Sequence, residues 1–186
     1  GAARPPGVVG LAVVVAPLTE EALLADDEYT FQPRFSPDGR ELAYLARRTE
    51  LRVIDLKTRA VRTVLPETIN YSYADGDQSF DWSPDGKWFT FQFPEKGRWM
   101  DEVGVVPAAG GSWHNLTQSG YQDYDPRWSE DGRAITYRTG RNGLRSHGAW
   151  GFQEDVYAVF PSRAGQEWYR LSEEERQERQ EADETT

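Results

Sequence analysis

Short runs of alternating apolar and polar residues recur along the chain and predict β-strands. The clearest runs, 41–46, 87–93 and 133–138, each follow a tight-turn sequence, and alternation over such short distances is typical of strands with one buried face. Another strand is expected after each run, at 51–56, 102–106 and 155–160. A final strand is expected at 61–65, 112–117 and 167–171. With the residues before each turn, the pattern predicts four strands in each of three successive units.

The turn that separates the first two strands of each unit is a repeated motif. Its three copies are Phe35-Ser36-Pro37-Asp38-Gly39, Trp82-Ser83-Pro84-Asp85-Gly86 and Trp128-Ser129-Glu130-Asp131-Gly132. Proline presets φ for a turn, aspartate bonds the local backbone, and glycine accepts positive φ. The repeat length is 47 and then 46 residues, from Gly39 to Gly86 to Gly132. For an all-β pattern, this period indicates propeller blades.

The predicted fold class is therefore all-β: about three blades of four antiparallel strands, forming a partial β-propeller, with a short C-terminal helix. Residues 1–171 form the propeller segment, with blades around 31–65, 78–117 and 124–171. A partial blade at 8–24 precedes them, and 172–186 form an acidic helical tail or linker. Because propellers have about four to eight blades, we expect this chain either to continue into further propeller sequence or to self-associate.

The aromatic residue before each turn is expected to be buried between blades. Phe35, Trp82 and Trp128 stand at the same offset from their glycines, so equivalent positions in the inter-blade core are predicted for all three.

The charge of the chain limits the classes of molecule that it is expected to bind. The net charge is −10, half of it in the tail 172–186, and an acidic chain argues against nucleic-acid binding, which needs a basic face.

The longest apolar run, 8–16, falls short of the about 18 residues of a membrane span and is interpreted as a strand rather than a signal peptide. Ser172 and Glu175 form a predicted capping box at the start of the tail helix. The chain has no cysteine, which excludes disulfides and thiolate chemistry. A periplasmic or otherwise extracytoplasmic location is expected, with the cytoplasm as the alternative.

The sequence resembles the propeller region of tricorn-like serine peptidases, and its turn repeat resembles that of TolB-like propellers. The segments that carry the resemblance cover about 17–175; they include 28–33, 63–66, 70–78, 102–104, 115–117, 143–151 and 153–158. The resemblance implies a non-catalytic propeller that gates or guides peptide substrate. In such proteins the propellers are followed by a further β domain, a PDZ domain and a peptidase domain.

Two loops are candidate sites. The loop 139–153 is longer than the usual hairpin connection of about 2–5 residues. It holds Arg141, Arg145, His147 and Trp150, for which the functional interpretation is a binding loop with arginines for carboxylates and a tryptophan anchor. The alternative is a loop that packs on itself, which we prefer for Trp150. In the loop 70–78, the spacing of Asp75 and Asp77 weakly resembles that of calcium ligands. We prefer the alternative that these residues belong to a turn rich in Asp and Gly.

No catalytic residue, metal site or cofactor is predicted. A Gly-x-Ser-x-Gly elbow is absent from the sequence. Ser146 adjoins His147, but neighbours on a strand point apart, so a triad there is not expected.

Three functions stay open on the sequence alone. The first is the propeller segment of a tricorn-like peptidase, whose partners are a peptide or protein substrate and the remaining domains of the parent chain. The second is a TolB-like protein-binding module. The third is a self-assembling structural fragment.

Overall fold

The computed structural model describes residues 12–15, 19–24, 28–144 and 153–184. Thirteen strands within these ranges form four antiparallel sheets. A two-stranded sheet comprises β1 (Ala12–Val15) and β2 (Thr19–Ala22). Blade 1 comprises β3 (Thr30–Phe35), β4 (Glu41–Ala46), β5 (Glu50–Asp55) and β6 (Val61–Leu65). Blade 2 comprises β7 (Phe80–Trp82), β8 (Trp88–Pro94), β9 (Asp101–Pro107) and β10 (His114–Asn115). Blade 3 comprises β11 (Asp123–Trp128), β12 (Ile135–Thr139) and β13 (Asp155–Val159).

Each blade is a meander in which sequential strands are neighbours in the sheet. The predicted all-β fold of antiparallel blades in a partial propeller is therefore confirmed. The fourth strand of blade 2 is shorter than expected, because only His114 and Asn115 pair with β9. A short 3₁₀ helix, Glu67–Ile69, begins the connection from blade 1 to blade 2.

The three repeated turns make the same hydrogen bonds. In the first copy, the Ser36 hydroxyl donates to Asp38 Oδ1 at 2.7 Å and accepts from the backbone N–H of Glu41 at 2.9 Å. Asp38 Oδ1 also accepts from the backbone N–H of Arg40 at 3.1 Å. The copies at Ser83 and Ser129 repeat this arrangement. Their glycines have φ of 71°, 69° and 69°, so each turn requires the left-handed conformation that glycine adopts freely.

The main core lies between blades 1 and 2. Trp82 packs on Phe89 with ring centroids 4.0 Å apart, and its indole Nε1 donates to the carbonyl of Arg34 in blade 1 at 3.2 Å. The cluster combines blade 2 aromatics with blade 1 aliphatics; its buried members are Ala43, Leu45, Leu51, Val53, Val64, Leu65, Phe80, Trp82, Phe89, Phe91, Phe93, Val106 and Ala108. The aromatic of the first strand therefore faces the preceding blade.

Blade 3 packs on blade 2 through a smaller cluster. Val103, Ile135 and Tyr137 are buried, and Trp128 packs against them while partly exposed. The burial predicted for Trp82 and Trp128 thus holds fully for the first and partly for the second.

The burial predicted for Phe35 is wrong, since this side chain is 59% exposed. Phe35 pairs with Leu42 and shares its face, which points toward the segment that precedes blade 1. Among the described residues of that segment, Leu23 and Leu24 pack on Leu42, Tyr44 and Ile54 and leave Phe35 uncovered.

The strand predicted at 167–171 is also wrong, because helix α1 (Arg163–Arg170) occupies this position. The Ser162 hydroxyl caps the helix by accepting from the backbone N–H of Gly165 at 3.0 Å. A Cβ at Gly165 would lie 2.6 Å from the carbonyl oxygen of Arg133, so glycine permits a close approach to the third turn. The Arg133 guanidinium stacks on Trp168 at 4.1 Å. In the part of the chain that the structure describes, blade 3 consequently has three strands where four were expected.

Helix α2 (Glu173–Glu184) forms the acidic tail, and its capping box is confirmed. The backbone N–H of Ser172 donates to Glu175 at 2.7 Å, and the Ser172 hydroxyl accepts from the backbone N–H of Glu175 at 3.3 Å. Neither helix in the described ranges is long and apolar enough to cross a membrane.

We predict that Trp82→Ala destabilises the chain by about 3–5 kcal/mol, as expected for a large buried aromatic. Phe35→Ala is the matched control, because it removes the equivalent but exposed ring and should change stability by about 0.5 kcal/mol or less. Urea unfolding of both variants measures the difference. Equal losses in the two would contradict the assignment of Trp82, and not Phe35, to the buried core.

We also predict that the three turn carboxylates make stability fall at acidic pH. The Ser36 and Ser83 hydroxyls and nearby backbone N–H groups hold the pKa of Asp38 and Asp85 below 3.8. Burial opposes the same effect at Asp131, but hydrogen bonds from Ser129 and Arg133 outweigh it and the pKa is again lowered. Depressed pKa values contribute stability that is present above pH 3.8 and is lost as pH falls through the lower folded values.

The test is the melting temperature between about pH 4 and pH 2 for the wild type and for the triple variant Asp38→Asn, Asp85→Asn, Asp131→Asn. Asparagine retains an acceptor oxygen but does not titrate in this range. The triple variant should lose less stability on acidification, and acid limbs that superimpose would contradict the prediction.

Candidate functional site

The links between blades lie at one end of the blades, which we call the loop end. Antiparallel pairing puts the β4–β5, β8–β9 and β12–β13 connections at the same end as the links between blades, opposite the three repeated turns. Contacts join these segments: Arg48 Nε donates to Asp75 at 2.6 Å, and the backbone N–H of Asp101 donates to Gln122 at 3.2 Å. The loop end therefore carries most of the irregular surface available for binding.

A polar cleft of about 560 Å³ opens where the first strands of the three blades meet, and we call it the axial cleft. Each first strand is an edge of its sheet, so backbone groups as well as side chains face the cleft. The lining residues are Gln32, Pro33, Arg34, Gly76, Asp77, Gln78, Ser79, Gln92, Tyr124, Asp125, Arg127 and Arg138.

The lining follows the blade repeat. Gln32, Ser79 and Asp125 occupy equivalent positions, and two residues later stand Arg34, Asp81 and Arg127. All of these except Asp81 line the cleft. Gln32 and Asp125 have φ of 53° and 51°, at matching irregularities in the pairing of β3 with β4 and of β11 with β12. A bulge twists an edge strand and redirects its side chains. The irregularities therefore fall at the strands that line the axial cleft.

Polar contacts across the cleft wall join neighbouring blades. Asp81 in blade 2 lies 3.8 Å from the Arg34 guanidinium in blade 1 and accepts from the backbone N–H of Trp128 in blade 3 at 3.0 Å. The Ser79 hydroxyl donates to Asp125 at 3.0 Å, and Asp125 also pairs with Arg127 at 2.7 Å. Asp81 thus contacts both adjacent blades.

Burial dominates the electrostatics of this wall. It raises the pKa of Asp81, and the Trp128 N–H with the charges of Arg34 and Arg127 offsets this only in part. Burial likewise raises the pKa of Asp101, against the hydrogen bond from Gln122. Burial and the hydrogen bond to Glu154 raise the pKa of Tyr124 to about 12. The Tyr124 phenol therefore stays protonated and donates to Glu154.

The cleft offers groups that bind rather than react. Arginine side chains donate to carbonyls and carboxylates, and Gln32, Gln92 and Ser79 can donate or accept. His114, the histidine among the described residues, lies exposed on β10, on the outer edge of blade 2. This set suits recognition of a polar, extended chain such as a peptide backbone.

One of the four predicted binding residues is described, and it lies against aromatic rings. The Arg141 guanidinium lies 5.6 Å from the ring centroid of Tyr121 and 5.4 Å from that of Tyr157. Arg145, His147 and Trp150 lie outside the described residues. The binding role of this loop therefore stays a prediction.

In the loop 70–78, Asp77 holds the backbone together. Asp77 accepts from the backbone N–H groups of Tyr73 at 2.6 Å and Ala74 at 3.0 Å and from the Ser72 hydroxyl at 2.7 Å. Burial raises the pKa of Asp77, but these hydrogen bonds outweigh it and the pKa is lowered. Across the described ranges, no group of three or more His, Asp or Glu side chains is placed to hold a metal ion.

The sequence contains a signal for the axial cleft, although no single motif reveals it. Aligning the three repeats brings Arg34, Asp81 and Arg127 into one column, and this periodic polar position is the signal that would have identified the cleft.

No protein-family profile matches this sequence. Curated relatives do: the chain is 27% identical over 124 residues to a tricorn protease homolog of Saccharolobus solfataricus, covering 67% of this chain and 11% of the relative. It is 28% identical over 109 residues to a protein of Sulfurisphaera tokodaii named as a tricorn-like protease C-terminal subunit, covering 59% of this chain and 12% of the relative. The chain therefore spans about a tenth of the length of these relatives.

Solved structures share the fold. The tricorn protease superposes with a TM-score of 0.58 at 17% identity, over 77% of this chain and 15% of that chain. TolB from Acinetobacter baumannii superposes with a TM-score of 0.57 at 19% identity, over 78% and 33% respectively. The similarity to tricorn-like propellers expected from the sequence is confirmed.

We predict that Asp81→Ala destabilises the chain by about 1–3 kcal/mol, because the backbone N–H of Trp128 loses its acceptor and Arg34 loses its counter-charge. Asp75→Ala is the control, since it removes an exposed partner of Arg48 and should cost about 0–1 kcal/mol. Thermal unfolding compares the two. An Asp81→Ala variant as stable as the control would show that this contact does not join the blades.

Proposed function

We propose that this chain is the non-catalytic propeller segment of a tricorn-like serine peptidase, in which the axial cleft guides peptide substrate toward a peptidase domain elsewhere in the parent protein. The observation that carries the proposal is the sequence similarity to tricorn proteases, which extends over 67% of this chain but only 11% of the relative. Such a distribution is expected of one domain within a large peptidase.

The chemistry of the axial cleft supports the guiding role. Arg34, Arg127 and Arg138 keep side-chain exposures of 38%, 39% and 48%, so their guanidinium groups are accessible to a ligand. Each is also paired with a carboxylate of the chain, namely Asp81, Asp125 and Glu154. Paired charges hold a passing peptide weakly, and weak contacts suit passage better than retention.

The open side of blade 3 supports association with further domains of the parent. Val156 on β13 is 74% exposed, and no strand of the described residues pairs with the outer edge of β13. An apolar side chain on an unpaired edge strand favours the approach of another sheet or strand. Self-association through the same edge is the second candidate, and it rests on the same observation.

We predict that the isolated chain binds unfolded peptides in the axial cleft but does not hydrolyse them. A photoreactive amino acid at Gln32, at the cleft, should cross-link to labelled unfolded peptide. The same group at Trp88, beside the repeated turns at the opposite end, is the control and should not. Mass spectrometry of the adducts locates the contact.

Two results would contradict this function. Cross-linking of equal yield at both positions would remove the case for the cleft. Turnover of a fluorogenic peptide library that Ser146→Ala abolishes would place catalysis within this chain.

A further inference from the structure

Three exposed aromatic residues contact one another at the loop end, outside the axial cleft. Tyr71, Tyr73 and Trp99 are 52%, 72% and 75% exposed. The Tyr71 ring lies 4.9 Å from Tyr73 and 5.9 Å from Trp99, in both cases edge to face. Two separate segments supply them: Tyr71 and Tyr73 from the link between blades 1 and 2, and Trp99 from the β8–β9 hairpin. The mutual contacts hold the rings in place although water surrounds them.

Two of these rings, Tyr71 and Trp99, line a groove of about 650 Å³ that we call the aromatic groove. Tyr73 packs against both of them. Its more buried aromatic residues, Phe93 and Trp113, have ring centroids 4.7 Å apart, and Ile69 and Pro94 add apolar surface. The groove lies at the junction of blades 1 and 2. Further blades would stack on the opposite face of blade 1 or on blade 3, so completing the propeller leaves the groove open.

Several hydrogen-bond donors at the groove are unused. In the ranges that the structure describes, no hydrogen bond involves the indole N–H of Trp99 or the hydroxyls of Tyr71 and Tyr73. A ligand with accessible carbonyl oxygens would accept from these groups without displacing an internal partner.

The groove rim is basic in an otherwise acidic chain. Lys96 and Arg98 line it together with Glu95, and Arg98 pairs with Glu95 at 3.1 Å. Lys96 makes no ion pair with any residue that the structure describes. With a net charge of −10 for the whole chain, this local excess of cations favours a ligand that carries a carboxylate.

We infer that the aromatic groove binds an extended, proline-rich peptide segment of a partner protein with an acidic residue beside the prolines. A polyproline II helix has no internal hydrogen bonds, so its carbonyls are free to accept from indole and phenol groups. Its proline rings pack between exposed aromatic side chains, and its stiffness lowers the entropy lost on binding. The acidic residue pairs with Lys96.

The inference is independent of the peptide-guiding role, because none of the residues that line the aromatic groove lines the axial cleft. Variants of one site therefore leave the other intact, and the two proposals can fail separately.

The test is fluorescence anisotropy of a labelled proline-rich peptide that carries aspartate at one end, titrated with the 186-residue chain. Trp99→Ala and Tyr71→Ala should each weaken binding by about tenfold or more, as for central aromatic anchors. Trp99 and Tyr71 are 75% and 52% exposed, so the variants should fold, and circular dichroism checks this. Tyr29→Ala is the matched control: Tyr29 is 61% exposed, does not line the groove, and its loss should leave binding unchanged.

Two further titrations test the chemistry of the ligand. A glycine–serine peptide with the same aspartate should bind at least about tenfold more weakly, because it lacks the proline rings and the stiffness. Lys96→Glu should weaken binding of the acidic peptide and reduce its dependence on salt.

Three results would overturn the inference. These are no saturable binding of the proline-rich peptide, equal binding of the glycine–serine peptide, or Trp99→Ala binding that matches that of Tyr29→Ala.

Discussion

Burial of Trp82 between blades 1 and 2 is the interaction on which the rest of this structure depends. The ring packs on Phe89 within blade 2, and its indole N–H bonds the Arg34 carbonyl of blade 1, so one side chain supplies both apolar packing and a directional contact. The same strand positions then bring the polar residues of the first strands together at the axis. The axial cleft is thus a consequence of how the blades pack. The residue that precedes the aromatic of each repeated turn, Arg34, Asp81 or Arg127, lies near its counterparts in the neighbouring blades.

The sequence predicted the blades because their turns are local. Each Ser-x-Asp-Gly turn closes through hydrogen bonds within six residues, for example Ser36 to Glu41, so the motif dictates its own conformation wherever it occurs. The exposure of the Phe35 side chain could not be derived in this way, because it depends on what lies against that face of blade 1. Helix α1 was missed for a related reason: alternation around Trp168 resembles a strand, whereas the helix rests on a serine cap and on the contact of Gly165 with a turn 32 residues earlier.

The two proposed binding surfaces differ in how far the sequence could reveal them. The axial cleft is periodic, so an alignment of the repeats contains it. The aromatic groove is not periodic, since its exposed rings come from the link between blades 1 and 2 and from the β8–β9 hairpin, and no repeat relates these segments. Only the folding of both connections to the loop end brings these rings into contact. The binding role predicted for Arg145, His147 and Trp150 stays a prediction, and Arg141 lies against Tyr121 and Tyr157.

The central claim is that blades 1 to 3 pack on one another and that blade 3 ends in an edge strand. Native-state hydrogen exchange on the isolated chain tests this claim most directly. Amides of β8 and β9, between blades 1 and 3, should exchange only through global unfolding. Amides of β13, an edge strand whose side chains range from half-buried to exposed, should exchange through local opening at a much lower free energy. Protection of β13 equal to that of β8 would contradict the account, because it would mean that blade 3 is already complete.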